Sequence, residues 1–521
     1  MKKYKNPVLL CDYSDPDVIR VGDTFYLTAS SFNFVPGLPL LESKNLVDWN
    51  LVGYAAKKIE IPGYDEVQNA KGIWAPSLRF HDGLFYIFFA TPDEGIFETH
   101  AENFRGNWSA WNCVWSGKGF IDPCPLWDDD GKIYVVHGYA KSRIGFNSKL
   151  GILELDENLK AKTDDRIIFD GTKTQPTIEG PKIYKRNGVY YIFAPAGGVT
   201  YGWQTVLRSR NIFGGYDEKI VLAQGKTKIN GPHQGGFVET QDGSGYFLHF
   251  QDAGIFGRIT HLQPVKWQNG WPFLGNAAVK KQENENSNDG DSSCGQNFPE
   301  KAERTKSSGI KEAGEPLEEY FVPYDNEETS SLNSFRDESG NTISEFQFSG
   351  NAGVDFLESG SCSNLKREYG DGTLWLNPYV CTKKITEKSF SYGKEIFIGD
   401  FNDENCLERH GIIFLGNEYS ALEIEKRFGD AGKSDGFYLS QIVSSGSEKG
   451  DETREERVVF EAKLSESVKS VVLRMSFSGD GRRGKVIFSC EADGVDGKVD
   501  FVSEPFITEN AHWVGGRFGW F

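Results

Sequence analysis

Three carboxyl side chains recur in one local setting. Asp15 stands four residues before Ile19, Asp122 four before Leu126 and Glu179 four before Ile183, each at the head of an apolar, strand-like run. A proline follows each of them: Asp15-Pro16, Asp122-Pro123 and Glu179-Gly180-Pro181. At the same offset, Trp74 precedes Leu78 and His233 precedes Phe237. Singly, Asp-Pro and Glu-Gly-Pro are ordinary turn formers. As a set they suit the hydrolysis of an acetal, because no Ser or Cys nucleophile constellation accompanies them. One carboxyl must carry a proton to the leaving oxygen and another must take one from water. A third, by like charge, raises the pKa of the donor and orients it.

Residues so far apart in sequence need a repeating scaffold to meet. Five segments share an apolar pair, a turn and an aromatic strand: VIRVGDTFYLTAS, SLRFHDGLFYIFFA, PLWDDDGKIYVVHG, KIYKRNGVYYIFAP and FVETQDGSGYFLHF. Asp-Gly or Asn-Gly supplies the positive-φ turn in four of them and Gly22-Asp23 in the first. Their anchors, Tyr26, Tyr86, Tyr134, Tyr191 and Phe247, recur roughly every 50 to 60 residues, room for four short strands each. Five such units predict a five-bladed β-propeller; five unrelated hairpins in a sandwich are the alternative. In a propeller the leading ends of the innermost strands converge on the axis, where the five key residues would face one another. Blades one and four are not adjacent. Asp15 and Glu179 should therefore be separated by roughly 6.5–9.5 Å, leaving space for a water and predicting inversion at the anomeric carbon.

The chain has 521 residues, which favours two domains. Its aromatic content of 14%, with 59 Gly and only 2 Met, fits short strands and tight turns. Residues 1–279 form the expected propeller. Residues 280–319 are polar and charged, the composition of a linker. From 320 to 521 strand-like runs resume (TLWLNPYV, GIIFLG, GFYLSQIV, SVVLRMSF), predicting an all-β second domain, a sandwich. A formal charge of −18 argues against nucleic acid and anionic membrane as partners and leaves a neutral sugar unaffected. The eight cysteines form no CxxC or Cys/His cluster, and Asp128, Asp129 and Asp130 read as a hairpin turn rather than a metal loop. With no apolar run of signal-peptide length near Met1, the expected location is cytoplasmic.

The stretches NPVLLCDYSDPDVIRVGDTFYLTASSFNF, GIWAPSLRFHDGLFYIFFA, FIDPCPLWDDDGKIYVV, PTIEGPKIYKRNGVYYIFAPAGG, GPHQGGFVET and FGRITHLQPVKW make the first domain resemble glycoside hydrolase family 43, the β-xylosidases and α-L-arabinofuranosidases. The later GIIFLGNEYSALEIEK to HWVGGRFGWF looks like the concanavalin-like β-sandwich of the family's xylosidase branch. The resemblance implies Asp15 as general base, Glu179 as general acid and Asp122 as the pKa-modulating, orienting acid. It implies Phe32 and Trp74 as walls of the sugar subsite. Arg258 would bond a sugar hydroxyl close to the modulator. His233 matches an axial histidine that in some members helps hold a calcium or other ion through water; no cofactor is otherwise expected. The implied activity is inverting, exo-acting release of terminal xylose or arabinofuranose from small hemicellulose-derived oligosaccharides. A carbohydrate-binding protein without catalysis is the alternative, weakened because all three acids are present. The retaining sucrose- and fructan-cleaving enzymes share the five-bladed fold, but their Trp-x-Asn-Asp-Pro-Asn-Gly entry is replaced here by Tyr13-Ser14-Asp15-Pro16-Asp17.

Overall fold

A computed structural model describes residues 3–284, 313–322, 344–359, 373–401, 408–429, 434–445, 455–510 and 513–521. The chain is all-β. Up to Leu274 the repeats become five antiparallel four-stranded sheets, I to V, each built from strands consecutive in sequence. Their first strands are Asp17–Val21, Trp74–His81, Phe120–Trp127, Lys182–Arg186 and Phe237–Glu239. These strands pack in succession, and sheet V returns to sheet I, where Arg20 Nε donates to the Glu239 carbonyl at 2.7 Å. Aromatic side chains fill the spaces between sheets: Phe237 of sheet V stacks on Phe193 of sheet IV with ring centroids 5.7 Å apart. Fully burying each such side chain contributes about 1.5–3 kcal/mol.

One backbone device recurs in all five sheets and aims the key residues. Trp74 pairs with Ala90 and Ser77 with Phe88, so Ala75 and Pro76 bulge opposite one partner residue. Ile121 and Cys124 bracket Asp122-Pro123 in the same way. Ladder bonds place equivalent bulges at Asp15-Pro16, Gly180-Pro181 and Gln234-Gly235. The first bulge residue has positive φ at Asp15 (55°), Asp122 (57°), Gly180 (56°) and Gln234 (32°). Gly, and more readily Asp or Asn than bulkier residues, accept that conformation. Proline suits the second position, where the ladder requires no N–H.

Directly below, buried side chains lock the inner strands together. Asp17 accepts from Leu78 N at 2.8 Å and Arg79 Nη1 at 2.7 Å, and Arg79 reaches on to Cys124 Sγ. Lys182 Nζ crosses to Pro76 O and Ser77 Oγ, both at 2.8 Å. These cross-ties bury charge, which is tolerable because each charged group meets hydrogen-bonding partners.

Residues 313–322, divided by the sequence reading between linker and second domain, lie against the first unit. Glu319–Phe321 pairs with Lys3–Lys5, and Gly314 bridges Leu222. The 280–319 segment also begins inside a helix, Asn276–Asn284, and 285–312 lie outside the described residues. Beyond them a seven-stranded and a five-stranded antiparallel sheet share one core, with Phe414, Leu422 and Leu439 facing Leu473, Met475 and Phe488. The alternating burial of Ser470–Gly479 is what a strand with one solvent face requires. The two units meet closely: Val35 bridges Phe348, and Gly516 N donates to Ile255 O at 2.7 Å.

Candidate active site

The bulges bring the three acids to one place. Asp15 is 4% exposed and Asp122 2%. Arg258 Nη1 lies 3.2 Å from Asp15 Oδ1 and Ser30 Oγ donates to Asp15 Oδ2 at 2.6 Å. Asp122 Oδ2 accepts the Gly180 N–H at 2.8 Å, tying sheet III to the residue beside Glu179. Glu179 Oε1 lies 2.8 Å from His233 Nε2; the histidine is fully buried, while the glutamate remains partly open. Each outer acid thus has its own partner, and Asp122 stands within electrostatic reach of both.

The bulge also corrects the four-residue offset. Trp74, Glu179 and His233 are the paired residues just before the bulge, whereas Asp15 and Asp122 are its first members. The proline marks the true equivalence; the apolar anchor is displaced by one. The five residues at that offset nevertheless all lie at the bulge, as its first member or as the paired residue just before it.

Other expectations fare differently. Arg258 lies on Asp15, because its strand begins against the Asp15 loop, where Tyr13 N donates to Arg258 O at 3.2 Å. Trp203 is 6% exposed, with Nε1 donating to Gln175 Oε1, so it belongs to the core of sheet IV. The Asp128–Asp130 turn is tied down by Lys132 N, Lys185 and Tyr190. His233 spends Nε2 on Glu179, and its buried Nδ1 meets no protein partner. Among the described residues no group of three or more His, Cys, Asp or Glu is placed to hold a metal ion.

Phe32 bridges Ile73, the residue before Trp74, and a third aromatic residue, which the sequence reading did not single out, joins them from the far end of the chain. Trp513 stacks on Phe32 at 6.5 Å between centroids and meets Trp74 edge-on at 4.8 Å. Arg143 covers another part of Trp74 at 5.1 Å and is held by Asp93. The Trp74 Nε1 is buried without a protein acceptor. No spacing in the chain links Trp513 to the repeats; its only local signal is the Gly515-Gly516 pair that follows.

Burial, then the neighbouring Glu179 and Asp15 carboxyls, push Asp122 up to about 8. The acid cluster therefore retains a proton at neutral pH. A carboxyl raised in the fold binds a proton that the unfolded chain has released between 3.8 and about 8, so its contribution to stability falls as pH rises through that window. Asp122→Asn removes this titration. Relative to the parent, the variant should gain thermal stability steadily from pH 4 to pH 8. A difference in melting temperature that stays constant over that range would contradict the assignment.

Paired acids with separate partners, beside aromatic walls, form the site architecture of glycoside hydrolases. The family model for glycosyl hydrolases family 43 matches residues 4–272, and the chain belongs to this family. It is 44% identical over 276 residues to a putative beta-xylosidase of Xylanibacter ruminicola, covering 52% of this chain and 50% of that one. It is 31% identical over 300 residues to a non-reducing end alpha-L-arabinofuranosidase of Bacteroides ovatus, covering 54% and 55%. The chain spans about half the length of these curated relatives. In fold it is similar to a xylan beta-1,4-xylosidase from Bacillus halodurans, with TM-score 0.69 and 20% identity over 99% of both chains. A family 43 hydrolase with an engineered active site superposes with TM-score 0.74 and 21% identity, covering 100% of this chain and 95% of the other.

Proposed function

We propose that the chain is an inverting, exo-acting glycoside hydrolase that releases terminal β-D-xylose or α-L-arabinofuranose from small hemicellulose-derived oligosaccharides. The observation that carries this reading is the separation of duties among the acids. Asp15 and Glu179 come from non-adjacent sheets, each held by its own partner, with Asp122 between them. In this reading sheets I to V form a five-bladed β-propeller, residues 1–279, and the C-terminal sheets form a concanavalin-like sandwich. Asp15 takes a proton from water as the water oxygen bonds to the anomeric carbon. The glycosidic C–O bond breaks on the opposite side, and Glu179 protonates the leaving oxygen. Arg258 and Ser30 orient Asp15, His233 orients Glu179, and Asp122 holds the Gly180 N–H next to Glu179 while keeping a proton in the cluster.

Exo action is favoured by Trp513, which adds a wall to one side of the aromatic mouth. The relatives named for xylose and arabinofuranose release favour these two sugars, which place similar hydroxyls in similar positions. The test is proton NMR during hydrolysis of an aryl β-xyloside. α-Xylose should appear first and mutarotate later. Initial β-xylose would overturn the assigned mechanism.

A further inference from the structure

Asp12, three residues before Asp15, is 5% exposed and accepts three hydrogen bonds from three parts of the chain. Its Oδ1 takes the Arg258 N–H at 2.8 Å and the Ser14 hydroxyl at 3.3 Å. Its Oδ2 takes the Gly515 N–H at 3.0 Å. Each donor leads to the pocket. Ser14 precedes Asp15, and its carbonyl binds Ser30 N, whose own hydroxyl holds Asp15. Arg258 holds Asp15 with its guanidinium. Gly515 lies two residues beyond Trp513.

The packing around this carboxylate is close enough to exclude side chains. A Cβ at Gly257, where φ is 72°, would lie 2.5 Å from Asp12 Oδ1, and one at Gly515 would lie 2.7 Å from Gly257 N. Two cations of the C-terminal sheet, the half-buried Lys384 and the buried Arg517, interact with the Asp12 charge. Lys384 also lies 4.1 Å over the ring of Tyr13. A buried carboxylate is costly to desolvate unless it is fully bonded and balanced by charge, and here it is both.

We propose that Asp12 is a positioning residue that fixes the Asp15 loop, Arg258 and the Trp513 segment in one register, making the C-terminal sheet a working part of the active site. This inference rests on Asp15 being the general base. An aspartate is required because two oxygens accept on different sides; an asparagine would present an amide nitrogen to one of the N–H donors.

The experiment compares Asp12→Asn, Asp12→Ala, Trp513→Ala and the Asp12→Asn/Trp513→Ala double variant on an aryl xyloside, with melting temperatures alongside. Misplacing catalytic groups by about 1 Å costs about 100-fold. Asp12→Ala should therefore lose about 100-fold in kcat, with KM raised, and Asp12→Asn should fall between it and the parent. The double variant should lose less than the product of the single losses, because both residues act on one segment. If Asp12→Ala does not fold, the isosteric Asn variant and the double-variant cycle still decide. Parental kcat in folded Asp12→Asn, with only the melting temperature lowered, would reduce Asp12 to a structural role and overturn the proposal. Additive losses would overturn the link to Trp513. An active Asp15→Asn enzyme would instead defeat the underlying assignment of the base, whatever Asp12 does.

Discussion

Asp15→Ala should abolish turnover on every substrate, by about 10³-fold or more, at the upper end of what a positioned base contributes. The attacking water is the same whatever group departs. Natural xylo-oligosaccharides and activated aryl glycosides should therefore lose activity alike. The substitution also leaves the buried Arg258 guanidinium without its carboxylate, 3.2 Å away in the parent, so folding must be checked in parallel. Asp15→Asn preserves the shape and the Ser30 contact while removing the basicity. Steady-state kinetics of both variants, read on dinitrophenyl xyloside and xylobiose, provide the measurement. Substantial turnover of either substrate by the Asn variant would mean that another group activates the water.

Glu179→Ala should separate substrates that Asp15→Ala treats equally. A sugar leaving group needs a proton as its bond breaks, so xylobiose should slow by about 10³-fold, within the range for general acid catalysis. A dinitrophenolate leaves without protonation and should slow by less than about 10-fold. The difference between the two leaving groups is the readout. The same variant should flatten the high-pH limb of the rate profile for xylobiose, because that limb reports loss of the donated proton. His233 loses its partner 2.8 Å away, and Glu179→Gln keeps a side chain in that place to distinguish chemistry from packing. Equal losses on both leaving groups would remove Glu179 from the donor role.

Much of the site was legible because the repeats constrain it. Asp-Pro and Glu-Gly-Pro recur at the heads of equivalent strands, and equivalent strands occupy equivalent places. The four-residue count treats two positions as one, since it lacks the bulge that separates the residue before the proline from the one before that. The ion pair of Arg258 with Asp15 had no signal in the sequence. It depends on where sheet V returns to sheet I, and no local pattern encodes that closure.

The amino-acid sequence determined the all-β class, the five repeated sheets and which acids stand at the heads of their inner strands, because alternation, turn chemistry and proline placement act over a few residues each. The tertiary structure alone decided which acid keeps which partner. It raised Asp122 by burying it beside two other carboxyls, and it brought Trp513 and Gly515 from the end of the chain to Phe32, Trp74 and Asp12. Desolvation and contacts across hundreds of residues depend on how whole sheets close and dock, and those terms have no value until the chain is folded.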